Sequence, residues 1–141
     1  MKYWALALLL FCSVAGAVDN PDAPDYLGAF HQRMQVYQQR IDRARTTADM
    51  SLALVAKAKA LDHELNTAYR MLMARLSPAQ RTALRASQRQ WLKCRDNEFS
   101  FINKTFTRQS HGTSSVLTVG HARNALVYAR AQELWDYLEA R

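Results

Sequence analysis

The feature that restricts this chain most is a break between two long helical stretches. From Ala48 to Leu76 there is no glycine or proline, and the stretch is rich in Ala, Leu, Met and Lys, all good helix formers. Ser77-Pro78-Ala79-Gln80 then stops the pattern and restarts it. Ser77 can cap a new helix, Pro78 suits the first helical position, and Gln80 can reach back to complete a capping box. One helix therefore ends near Leu76 and the next begins almost at once. A connection this short predicts antiparallel neighbours.

The remaining pattern is helical too. Tyr26, Phe30, Met34, Tyr37 and Ile41 recur at the spacing of one helix face, with Asp25 as the cap. Gln and Arg between them make the other face wet. This stripe either packs into the core or forms an arm that closes over a partner. Thr46-Thr47 can cap the second helix, whose buried stripe is Met50, Leu54, Ala58, Leu61, Leu65, Tyr69, Leu72 and Leu76. The third helix runs through Leu84, Gln88, Trp91, Arg95, Phe99, Ile102 and Phe106. Arg108 to Ser115 reads as a polar loop around His111-Gly112. A last helix starts near Val116 or Thr118 and runs to Glu139, with Leu126, Ala129, Ala131, Leu134, Trp135 and Leu138 as its apolar surface. No strand hairpin or internal repeat is visible. The expected fold is all-α, a small bundle of about four helices that each bury one face in a common core.

The first residues read as an export signal. Lys2 supplies a positive start, Trp4 to Val14 is apolar except for Ser13, and Ala15-Gly16-Ala17 is a small-x-small cleavage pattern. A membrane anchor needs roughly 20 apolar residues, more than this run holds. Cys12 follows Phe11 rather than a small residue, which argues against lipidation. Cleavage after Ala17 leaves residues 18–141, expected to be a single helical domain in the periplasm or secreted. Cys94 is then the only cysteine left, so no internal disulfide can form, and burial as a small hydrophobe is its expected state. Losing Lys2 takes the 19 basic residues to 18 against 12 acidic ones, a balance of +6. In an exported protein this charge favours an anionic envelope surface or an acidic protein partner, and the compartment argues against nucleic acid.

The usual catalytic signatures are absent. There is no Gly-rich phosphate loop, HExxH helix, CxxC pair or nucleophile elbow. His31, His63, His111 and His121 lie far apart, without zinc-ligand spacing. Asp62 and Glu64 are two residues apart on a helix and so point to different faces. The expectation is a protein that is not an enzyme and binds no metal or cofactor.

Several polar residues sit where the periodicity asks for hydrophobes. Asp62 and Asn66 are one turn apart on the second helix; Gln88 and Arg95 flank Trp91 on the third, with Asp96 following; Arg130 lies on the last. Buried charges are costly unless paired and hydrogen-bonded. An interhelical network of Asp62, Asn66, Gln88, Arg95 and Arg130 is therefore expected. Fixing helix register is its default role, and partner binding is the sharper alternative.

These residues also carry a resemblance. Asp62, Leu65, Asn66 and Tyr69 fit an Asp-x-x-Leu-Asn-x-x-Tyr element; Leu84, Gln88, Trp91, Arg95 and Asp96 fit Leu-x-x-x-Gln-x-x-Trp-x-x-x-Arg-Asp; Arg130 and Leu134 fit Arg-x-x-x-Leu. Over residues 48–139 the chain resembles the LprI-like lysozyme-inhibitor domain family. Where that family places disulfide cysteines, this chain carries Ala53, Phe99 and His121. The resemblance implies an envelope protein that binds and inhibits a lysozyme-type peptidoglycan hydrolase, as an immunity-type protein would. Long-range repulsion by a +6 chain disfavours basic lysozymes and favours a target with an acidic face. Tyr26, Phe30, Tyr37, Phe101 and Phe106 are candidates to plug a substrate cleft. Two other readings stay open. Leu76 to Gln80 is similar to the Leu-Thr-x-x-Gln element of Spy-like periplasmic chaperones, and arginines alone could serve a binder of anionic envelope surfaces.

Overall fold

The computed structural model of the chain describes residues 23–140. The leader and its cleavage point at Ala17 lie outside the described residues. The elements are α1 (Tyr26–Asp42), α2 (Thr47–Arg75), α3 (Pro78–Thr105), the single-turn α4 (Arg108–His111), a 3-10 turn (Gly112–Ser114) and α5 (Ser115–Glu139). The fold is all-α, a small bundle of four long helices, with no strand among the described residues.

Local chemistry sets the helix ends. The Asp25 carboxylate accepts from the Gly28 amide at 2.6 Å, and a Cβ on residue 28 would collide with that carboxylate. Thr46 Oγ1 accepts from the Asp49 amide at 3.0 Å. Ser77 and Gln80 form the full capping box, at 3.0 and 3.3 Å, with Pro78 at the first turn. Between α2 and α3 only Leu76 and Ser77 intervene, and Leu76 is extended and buried.

The core belongs to three helices. Phe30 and Met34 of α1, Leu61, Leu65, Ala68 and Leu72 of α2, and Val127, Ala131, Leu134, Trp135 and Leu138 of α5 form one buried cluster with Leu76. A smaller cluster joins Ile41, Ala53 and Leu54. Gly120 lets α5 approach α2 closely, since a Cβ there would lie 3.0 Å from Leu54 Cδ1. The first helix is docked, not a free arm. Arg33 of α1 forms a two-point ion pair with the buried Glu64 of α2, at 2.6 and 2.8 Å. The Leu27 amide donates to Glu139 at 2.8 Å, tying the start of α1 to the end of α5.

Three expectations need correcting. First, α3 packs closely on α5 rather than on α2, despite the short joint. Only Gln88 and Ile102 of α3 are buried, and Leu84, Trp91 and Phe99 reach the core in part. Its apolar stripe is too thin to fill the space against α2, so a groove stays open between them. Second, Arg108 to Ser115 is not an irregular loop. Thr107 and Ser110 cap each other and wind one helical turn, and Gly112, at φ 61°, redirects the chain into α5. That backbone conformation suits glycine alone. Third, Cys94 is exposed because it lies on the outward side of α3. On α5, Ala129 is also exposed.

Candidate functional site: the groove between α2 and α3

The groove has a volume of about 520 Å³. One wall is α2, with Asp62, Asn66 and Tyr69; the other is α3, with Arg85, Gln88, Arg89 and Arg95; Leu65 and Leu92 add apolar surface. Asp62, Asn66, Gln88 and Arg95 are thus brought together, though not as the expected buried network. Asp62 and Asn66 are exposed, and among the described residues no hydrogen bond or ion pair joins Asp62 to Arg95. Arg95 instead grips its neighbour Asp96 through Nε and Nη2, at 2.9 and 2.7 Å. Its guanidinium also lies over Trp91 and Phe99, 5.5 and 5.8 Å from the ring centres. Arg95 is therefore held in place by its own helix, and Asp96 faces solvent.

Arg130 lies at the α3–α5 junction. From α5 its Nε donates to Gln88 Oε1 at 3.1 Å and its Nη2 to Ser87 Oγ at 3.2 Å. Its third anchor is Glu133, 2.5 Å from Nη1. Arg130 and Gln88 are both buried, so this cluster fixes the register of α3 on α5 and orients the Gln88 wall of the groove.

Sequence reasoning missed Ser87 and Glu133 as partners of Arg130, and it missed the Arg33–Glu64 pair. Glu64 does point away from Asp62, toward α1. Hydrogen bonding to Glu64 raises the already high pKa of Arg33. Asn124 was also missed; its side chain donates to the Leu54 carbonyl at 3.0 Å inside the α2–α5 contact. A polar residue at a core-phase position of α5 was the available signal. Of the aromatic candidates, Phe30 is fully buried, Tyr26, Tyr37 and Phe106 are half-buried, and Phe101 is open to solvent at 57%.

Among the described residues, no group of three or more His, Cys, Asp or Glu side chains could hold a metal ion, and no helix is long and apolar enough to cross a membrane. The model of the lysozyme inhibitor LprI family matches residues 38–134. The chain belongs to the LprI family. That match reaches from the last turns of α1 to the last turns of α5 and takes in Asp62, Asn66, Gln88, Trp91, Arg95, Asp96 and Arg130. No curated protein and no solved structure matches the chain. At the positions where the LprI resemblance leads one to expect cysteines, Ala53 is buried in the small cluster, Phe99 packs against the main core and His121 is exposed.

Proposed function

We propose that this LprI protein is exported, works as a mature single domain of residues 18–141, and inhibits a lysozyme-type peptidoglycan hydrolase by binding it at the α2–α3 groove. It acts as a stoichiometric binder and not by turnover. One observation carries the reading: four residues of the family-like motif, Asp62, Asn66, Gln88 and Arg95, lie on one solvent-open groove. Asp62 and Asn66 of that motif are exposed, outside the core supplied by α1, α2 and α5. The groove offers a carboxylate, amides and guanidinium groups within a short span, the mixed donors and acceptors that specify a protein partner. Phe101, further along α3, adds one exposed ring of the kind that anchors interfaces.

The test is a titration of residues 18–141 into two muramidases, one basic and one acidic, digesting a peptidoglycan suspension. Hydrolysis should fall in proportion to added protein for at least one enzyme. The variant Asp62→Asn/Arg95→Gln should weaken that inhibition by roughly tenfold or more, the scale of losing two polar contacts at an interface centre. Unchanged hydrolysis by both enzymes at excess protein would reject the reading.

A further inference from the structure

The outward part of α3 is unusually one-sided in charge. Arg81, Arg85, Arg89 and Lys93 follow one another at intervals of four residues, and no acidic residue occurs in α3 before Asp96. Residues four apart stack on one helix face, so these four form a single row. At 1.5 Å per residue the row is roughly 18 Å long. All four are exposed, and among the described residues none of them enters an ion pair. Arg95, the other cation of this stretch, is occupied by Asp96. Like charges one turn apart work against the helix, so nothing in the fold itself asks for the row.

The geometry points to this row as the docking edge for an acidic segment of the partner protein, a helix or strand that presents carboxylates about one helical turn apart. The inference rests on the inhibitor reading and specifies the chemistry of its target. Two observations favour a protein over a bilayer or a phosphate polymer. The row flanks the α2–α3 groove, where Arg85 and Arg89 share the lining with Leu65, Leu92, Asn66 and the carboxylate of Asp62. A surface of uniform negative charge would be repelled at Asp62, whereas a protein segment can place a donor there. The helix under the row is also held at two points, since the capping box fixes the start of α3 and Arg130 clamps Ser87 and Gln88 on its inner side.

Three preparations of residues 18–141 decide the matter: wild type, Arg81→Gln/Arg85→Gln/Arg89→Gln, and Arg40→Gln/Arg43→Gln/Arg45→Gln. The last removes the same charge from exposed arginines outside the groove. The probe is a fluorescein-labelled helical peptide with glutamates at every fourth position, and circular dichroism checks that each variant is folded. The α3 variant should bind the peptide roughly tenfold more weakly than wild type, the sum of about three surface ion pairs. The Arg40/Arg43/Arg45 variant should bind nearly as well as wild type. Equal weakening by both variants would reduce the effect to net charge and overturn the proposal. Capture of phosphatidylglycerol vesicles through the α3 arginines, with the peptide ignored, would overturn it in favour of a lipid surface. A parallel muramidase titration separates the two levels. Inhibition that the α3 variant retains in full sinks the docking row and leaves the inhibitor reading standing; row-dependent peptide binding with no muramidase inhibited does the reverse.

Discussion

Arg130 shows what one side chain does in this fold. It is buried, it is charged, and three of its nitrogens are matched by Gln88, Ser87 and Glu133. Arg130→Met keeps most of the volume but strands the buried Gln88 amide without a partner. The variant should lose about 1–3 kcal/mol in urea unfolding. Adding Gln88→Leu should recover part of that loss, because removing both partners costs less than orphaning one. That Arg130 matters was legible from the sequence, since it interrupts an apolar stripe. Its partners were not. Helical period gives the face a residue occupies but not which helix covers that face, and the expected pairing of Asp62 with Arg95 depended on the spacing of α2 and α3. Glu64 escaped for a related reason: its partner Arg33 lies on the wet side of the α1 stripe, where an arginine attracts no notice.

Among the elements, α3 stands apart. Its start was legible from Ser77-Pro78-Ala79-Gln80, because a capping box is a local bond that four residues settle among themselves. Its neighbour was not, because packing depends on how much apolar surface each face carries against every other helix. With few buried side chains, α3 should open more readily than the helices of the core. In native-state hydrogen exchange its amides should exchange measurably faster than those of α2 and α5, with Ser87 and Gln88 protected best. Equal protection across α2, α3 and α5 would contradict the packing described above. The single-turn α4 was invisible for the opposite reason: four polar residues hold no periodicity, and only the Thr107–Ser110 bonds wind them.

Taken whole, the molecule is a three-helix core with a fourth helix strapped along it, stabilised without disulfides among its described residues. All-α character was readable because the long periodic stretches lack helix breakers. The exposure of Cys94 was not, because the same sequence position is core or surface according to how α3 is rotated. With the thiol open, air oxidation should yield a disulfide-linked dimer on a non-reducing gel. Cys94→Ser should abolish that band while changing stability by no more than about 0.5 kcal/mol, as for other surface substitutions. A thiol that stayed monomeric under strong oxidation would mean that it is covered.

The division between core and strap has an evolutionary side. Because the outward face of α3 contributes so little to the interior, its residues can be exchanged without endangering the fold. Such a face can change one substitution at a time while the inner three helices keep every intermediate folded.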